Sequence, residues 1–309
     1  MPAARHRIPR PRGVHGLVPG LALAVALAAG VAAGSAGVPA DSLRLEMSHV
    51  ARALRPGEVV LLRARTSAPA DSVTGRAPAG ALHFWKTADP LVWEAVLGLD
   101  VEAKAGPVRL TVRAVGSGSS ADGSHVLTVA PKSFPARRIT VDPRFANPPA
   151  SELPRIEREA KRTAAILAVV SPGRHWSGPF GRPVPGPETS AFGRISIVNG
   201  ERRSPHAGSD LQAAVGTPVR APNAGTVVLS DALYFSGDTV IIDHGSGLFS
   251  YLAHLSRRDV AEGDAVKAGA VVGLSGVTGR ITGPHLHWSV RVGSARVDPM
   301  SLLHTLGAR

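Results

Sequence analysis

Short alternating runs separated by turn residues limit the folds open to this chain more than any other feature of it. Glu58–Arg65, Ala81–Trp85, Val92–Leu97, Val108–Val112 and His125–Val129 are five such runs, with Gly, Pro, Ser and Asp between them. A period of two sends successive side chains to opposite faces of a sheet. Runs this short and regular predict a small antiparallel β-sandwich from Asp41 to about Phe145. Pro148 and Pro149 close that region, and a charged helix is expected from Ser151 to about Val170. Its residues Ile156, Ala160, Thr163, Leu167 and Val170 recur every three or four positions and predict one buried stripe, packed between two domains. Ser171-Pro172-Gly173 stops the helix, and Trp176 to Pro187 reads as an extended lead-in. The last third is β-rich again, with no helix expected before the C-terminal tail.

Composition removes several classes. At 309 residues and 44% hydrophobic, the chain can bury a core, which excludes disorder. It has no cysteine. Disulfide scaffolds, cysteine zinc fingers, iron–sulfur clusters, thiol nucleophiles and lipid attachment through an N-terminal cysteine are therefore excluded, and any metal site must use His and carboxylates. Residues 1–16 carry Arg5, Arg7, Arg10 and Arg12 and no acid, followed by an apolar run from Leu17 to Ala33 and small residues to Ala40. That is the pattern of a secretory signal peptide over residues 1–40. Pro19 and Gly20 interrupt the run, which is short for a membrane span. Losing four arginines takes the formal charge from +12 to +8, still basic enough to favour an anionic partner. Only 4% of residues are aromatic and no recognition motif appears, so a nucleic-acid partner is not expected.

Gly216–Ala221 and Gly263–Ala268 echo each other as turn-plus-strand units, a feature also met in biotinyl and lipoyl carrier domains. A carrier lysine belongs at an exposed hairpin tip. Lys267 sits inside the strand unit instead, so the echo reads as hairpin architecture.

Six of the twelve histidines follow residue 200. His206 and Asp210 stand four apart, and His285 and His287 alternate, so on a strand both rings of the second pair face one way. Two histidines and one carboxylate make a three-ligand zinc set with the fourth tetrahedral position open to water, as in catalytic rather than structural sites. His254 and one member of the His285/His287 pair are then left for proton transfer and oxyanion stabilisation. No His-Glu-x-x-His helix supplies a glutamate base. His49, His83 and His125 lie far apart in the first domain and read as packed or surface histidines.

Residues from about 176 to 300 closely resemble the lysostaphin-type (LytM-like) zinc metalloendopeptidase family, enzymes that cut peptide cross-bridges in bacterial peptidoglycan. An ordered series carries the resemblance: His206-x-x-x-Asp210, Gly216-Thr217-Pro218-Val219, Ala221-Pro222-Asn223-Ala224-Gly225, Asp243-His244-Gly245, Ala253-His254-Leu255-Ser256, Thr278-Gly279-Arg280, Thr282-Gly283-Pro284-His285-Leu286-His287 and Val297-Asp298-Pro299. Ser190-x-Phe192-Gly193 and Asn199-Gly200 look like the start of such a domain. Family members often carry an Ig-like N-terminal domain, which Leu97-Gly98-Leu99-Asp100 fits less specifically. The resemblance implies one catalytic Zn2+ on His206, Asp210 and His287, with His254 and His285 as catalytic histidines. His244 and Asp298-Pro299 take structural parts, and His175 and His304 none. One departure is Leu252, where the family often has an aromatic residue; Tyr251 precedes it.

The expected fold is all-β: an N-terminal Ig-like β-sandwich, a linking helix and a C-terminal antiparallel β-sheet zinc peptidase domain. The expected division is a signal peptide over 1–40, the sandwich over 41–147, a helical linker over 148–175 and the peptidase over 176–309. The expected protein is exported, periplasmic or extracellular and associated with the cell wall, with no membrane span after signal cleavage. It hydrolyses peptidoglycan cross-links by attack of zinc-bound water, its partners being stem peptides and cross-bridges. The rival reading is a catalytically silent wall-binding protein, or an activator of a separate cell-wall amidase.

Overall fold

The computed structural model describes residues 42–116, 118–140 and 147–307. The expected signal peptide lies outside the described residues, as does Phe145, the expected end of the sandwich. Strands dominate. No helix among the described residues is long and apolar enough to cross a membrane.

The first region is two four-stranded antiparallel sheets. One is ordered β1-β2-β6-β5, with β1 at Leu45–Ala51, β2 at Val59–Thr66, β6 at Val92–Gly98 and β5 at Trp85–Lys86. The other is ordered β4-β3-β7-β8, with β3 at Ser72–Ala77, β4 at Gly80–His83, β7 at Gly106–Gly116 and β8 at Ser119–Val129. Val60, Leu62, Ala95 and Leu97 of the first sheet meet Leu82, Leu110, Leu127 and Val129 of the second in one apolar cluster. On β7, Leu110, Val112 and Ala114 are buried while Thr111, Arg113 and Val115 are exposed, the alternation of a sheet with one wet face. β2 does not alternate: Val59-Val60-Leu61-Leu62 is buried throughout. The reason is tertiary, because Val59 and Leu61 turn away from the sandwich into the core of the C-terminal sheet. The run Ala81–Trp85, read as one strand, is two: β4 and β5 belong to different sheets, with the half-buried Phe84 between them.

The long helix, α1, spans Leu153–Ala168. Its stripe differs from the expected one. No residue of α1 is buried, and Ala160 and Val170 are exposed. The covered face is Ile156, Glu159, Thr163, Ile166 and Leu167, half-buried, with Ile166 and Leu167 against Leu229, Leu233, Ile241 and Phe249. The covered arc is rotated toward Glu159 and Ile166, the side of the helix that faces the sheet. The Gly- and Pro-rich lead-in forms no regular element, yet Trp176, Phe180 and Val184 from it are buried in the main core.

The C-terminal sheet is ten-stranded. Its main path is β10-β13-β20-β17-β16-β15-β18, with β10 at Glu188–Ser190, β13 at Gly208–Gln212, β15 at Gly225–Leu233, β16 at Gly237–Asp243, β17 at Leu248–Arg258, β18 at Ala265–Val266 and β20 at His285–Val292. β14 at Pro218–Arg220 pairs β19 at Val271–Ser275, and β21 at Ala295–Val297 pairs β20. Both echo units are turn-plus-strand pieces of this sheet, ending in β14 and β18. Leu248, Leu252, Leu286, Trp288 and Val290 project from its centre into the main core. A small three-stranded sheet joins β9 (Ala136–Ile139), the strand leaving the sandwich, in parallel to β11 (Ile195–Val198), with β12 (Glu201–Arg202) beyond.

Asp298 caps the closing helix α2, Pro299–Leu306, by accepting the Met300 amide proton. It also ties this end of the chain to the sandwich. Arg52 donates to both Glu58 and Asp298, and Ser301 donates to the buried Glu58 at 2.6 Å. Shared carboxylates, a guanidinium and one apolar core leave no slack between the first sheet and the C-terminal one.

Candidate metal centre

Three adjacent central strands, β13, β20 and β17, carry four of the five singled-out residues, and the segment entering β13 carries the fifth, His206. Asp210 pairs directly with His287 across β13 and β20, and Gln212 with His285, so Asp210, His285 and His287 share one face. Ala253 of β17 pairs with His287 from the other side. His206 lies in the turn that leads into β13.

His254 reaches this face only because β17 breaks its own alternation. Leu252 stands opposite Val240 and Leu255 opposite Asp238, so Ala253 and His254 together oppose the single residue Thr239. That is a β-bulge. Both Leu252 and Leu255 enter the main core although they are an odd number of residues apart. Without the extra residue, His254 would fall on the core side. The bulge places His254 in the left-handed region at φ 64°, a conformation that costs a non-glycine residue roughly 1–3 kcal/mol. Its amide donates to Ser236 O at 2.9 Å, and Tyr251 reaches Ser236 Oγ at 2.7 Å. Tyr251, beside the position where an aromatic residue was missing, therefore steadies the residue that holds the bulge.

Backbone carbonyls set the tautomers. His254 Nδ1 is 2.9 Å from Thr278 O, His285 Nδ1 is 2.9 Å from Gly283 O, and His206 Nδ1 is 3.2 Å from Ala191 O. A carbonyl only accepts, so each Nδ1 carries its hydrogen and each neutral ring offers its Nε2 lone pair to the site. Thr278 is doubly anchored, its hydroxyl donating to Leu255 O at 2.6 Å and accepting from the Asp238 amide at 2.9 Å. It grips the strands on both sides of the bulge.

His206 Nε2, Asp210 Oδ1 and His287 Nδ1 form a near-equilateral triangle: 3.2 Å from His206 to Asp210, 3.0 Å from His287 to Asp210, and 3.1 Å between the two nitrogens. Donors on a tetrahedral ion with bonds of about 2.0–2.1 Å lie about 3.3–3.4 Å apart, so the set fits such an ion with a slight expansion. Among the described residues this is the one group of three or more His, Cys, Asp or Glu side chains placed to hold a metal. His285 Nε2 is 3.5 Å from Asp210 Oδ1, and the His254 and His285 rings meet edge to face with centroids 5.0 Å apart.

The electrostatics centre on Asp210. Burial pushes its carboxyl upward, but hydrogen bonds from His206 and His287 outweigh that and hold it well below the usual carboxylate range. Burial opposes charge on His206 too, yet the hydrogen bond and charge of Asp210 raise it above the ordinary histidine value. On the more enclosed His287 burial wins, and its pKa falls. Burial takes His254 down to about 4, so that ring is neutral near pH 7.

The remaining histidines fall outside the group. His244 is fully buried and satisfied, with Nδ1 2.8 Å from Ala224 O and Nε2 2.9 Å from Ser250 Oγ. His83, His175 and His304 are exposed. His49 and His125, read as packed or surface histidines, are half-buried and meet each other: Nδ1 of His49 is 2.8 Å from Nε2 of His125, across the edges of the two sandwich sheets. The sequence reading gave no role to Ser236 or to the carbonyls of Ala191 and Gly283. A carbonyl has no residue signature, and only the Thr278-Gly279-Arg280 motif hinted at the loop that holds His254.

The family comparison matches Peptidase family M23 over residues 204–299, which contain all five residues. A crystal structure from Pseudomonas aeruginosa described as a peptidase M23 shares 32% identity and superposes with a TM-score of 0.65 over 81% of this chain and 95% of that one. The DD-carboxypeptidase/endopeptidase Mpg of Neisseria meningitidis is 39% identical over 122 residues, 37% of this chain and 28% of that protein. The peptidoglycan DD-endopeptidase ShyA of Vibrio cholerae is 40% identical over 100 residues, 32% of this chain and 23% of that protein. The chain thus aligns with about a quarter of the length of these curated relatives. The fold is that of a family of peptidases. The chain belongs to peptidase family M23, the lysostaphin-type family.

Proposed function

We propose that this protein is an exported zinc metalloendopeptidase that hydrolyses peptide cross-links of bacterial peptidoglycan, acting in the periplasm or outside the cell. The observation that carries this reading is the donor triangle of His206, Asp210 and His287 beside two further histidines that present Nε2. Relatives named as DD-endopeptidases support extending it to cross-links made by direct stem-peptide linkage. The sandwich is proposed as Ig-like, over 41–147, and the peptidase unit as 176–309 after the linker 148–175.

His206, Asp210 and His287 would hold the ion. Zinc, when bound, supplies Lewis acidity, drawing charge from a carbonyl oxygen and making water acidic enough to attack near neutral pH. His254, neutral near pH 7 and fixed by Thr278 O with Nε2 free, takes a proton from the attacking water as general base. His285 has its Nδ1–H committed to Gly283 O, so donation from Nε2 requires a charged ring, with Asp210 3.5 Å away as counter-charge. In that state it stabilises the oxyanion and returns a proton to the leaving amine. The basic surface concentrates the enzyme on a polymer bearing carboxylates.

Digestion of purified sacculi with the zinc-loaded protein, followed by mass spectrometry of the released muropeptides, tests the reading. Cross-linked dimers are expected to become monomers, with no cleavage after chelation or in His285→Ala. Intact dimers with zinc-loaded, folded protein would leave the silent wall-binding reading in place.

A further inference from the structure

We infer that the β-sandwich is part of the scaffold of the metal centre, and that Phe134, on the segment leaving it just before β9, is a positioning residue for His206. This rests on the reading of His206 as a metal ligand and adds how that ligand is held. His206 is not on a strand of the main sheet. Three bonds fix it to the preceding turn: its amide donates to Arg194 O at 2.9 Å, its carbonyl accepts from the Gly193 amide at 2.8 Å, and its Nδ1 meets Ala191 O. The placement of His206 is therefore the placement of residues 191–194.

That turn is held by the other region of the molecule. The Phe134 ring lies on the backbone of Gly193, which has φ 79°, so closely that a Cβ there would come within 2.1 Å of two ring carbons. Phe134 also meets Phe192 edge to face at 6.1 Å, with the Lys132 ammonium 4.6 Å above the Phe134 ring. Phe192 is 5% exposed and presses against Gly57 of the sandwich, where a Cβ would lie 2.5 Å from its ring. Beyond Phe134 the chain pairs as β9 with β11, and the Ile195 amide donates to Pro135 O at 3.0 Å. Residues 134–139 thus grip the segment carrying the first ligand from one side and Gly57 grips it from the other. Asp210, His285 and His287 need no such help, because the ladders of β13 and β20 hold them. A ligand whose support is removed loses orientation before it loses fold, and such losses typically weaken metal binding by about 10–100-fold.

The test measures zinc affinity of the full-length protein by competition with a chromophoric chelator, together with the visible absorption of the cobalt-substituted form. Phe134→Ala is expected to weaken zinc binding by about 10–100-fold and to change the cobalt spectrum. Phe134→Leu, which keeps bulk on Gly193, is expected to recover most of the affinity. Gly193→Ala presses on the same contact from the opposite side and is expected to weaken zinc as well, with the double variant losing less than the sum. Val129→Ala, a cavity in the sandwich interior away from the turn, is expected to lower the melting temperature and leave zinc affinity unchanged. If Phe134→Ala keeps zinc affinity within about twofold with an unaltered cobalt spectrum, or if Val129→Ala weakens zinc equally, the inference fails. Absence of zinc binding by the parent protein would instead overturn the metallopeptidase reading itself.

Discussion

Two pairs of histidines come within hydrogen-bonding distance among the described residues, and they are built for different ends. His49 and His125 meet at 2.8 Å between the edges of the sandwich sheets, and His206 and His287 at 3.1 Å on the main sheet. The distances barely differ. What differs is the third group. Asp210 stands 3.0–3.2 Å from both nitrogens of the second pair, whereas among the described residues His49 and His125 belong to no group of three potential ligands. The pKa directions follow: His125 is pushed down by burial and by His49, while His206 is raised against its burial by Asp210. Proximity of imidazoles does not make a metal site; a carboxylate that compensates the charge does.

The largest way to break this contrast is to make the second pair resemble the first. Asp210→Ala is expected to abolish tight zinc binding and lower cross-link hydrolysis by at least about 10³-fold, read by metal analysis and muropeptide release. Next, His254→Ala is expected to retain zinc yet lose about 10²–10⁴-fold in turnover, since it removes the proposed base and none of the ligands. Loss of zinc in that variant would make His254 part of the metal scaffold instead.

The fully buried His244 sharpens the contrast through pH. His244 is held at about 4 by burial, with Asp243 opposing and His175 reinforcing the shift. Above pH 6.5 the ring is neutral in folded and unfolded chains and contributes no pH dependence. As pH falls from 6.5 toward 4 the unfolded chain takes up a proton that the folded one refuses, so stability declines, by up to about 3 kcal/mol from this residue. Denaturant melts at pH 7 and pH 4.5 should show that drop, and His244→Gln should flatten it. The smallest expected effect is His49→Ala. It removes one hydrogen bond in the sandwich, about 0.5–1.5 kcal/mol by chemical denaturation, and leaves zinc stoichiometry and hydrolysis unchanged.

Much of this was legible from residue order. Alternating runs pointed to strands, the 3.6-residue pattern to the helix that became Leu153–Ala168, and the His-x-His spacing to a shared face for His285 and His287. Pattern failed where burial depended on a partner far along the chain. The unbroken apolar run of β2 has meaning only because the C-terminal sheet covers its second face. The helix stripe was centred off the covered face because periodicity reports which residues share a face, not which side a neighbour covers. Ala81–Trp85 looked like one strand because a switch between sheets leaves no mark in an apolar run.

Chemistry and spacing are local properties, and residue order alone carried them: a cysteine-free chain confined any metal site to His and carboxylates, and period two put His285 and His287 on one face. Only the tertiary structure decided how the centre closes. The bulge that turns His254 out of the core, the carbonyls that choose the tautomers, and the Phe134 ring on Gly193 all join residues from different stretches of chain. Backbone groups and packing contacts carry no residue code of their own, so they exist only once the chain has folded.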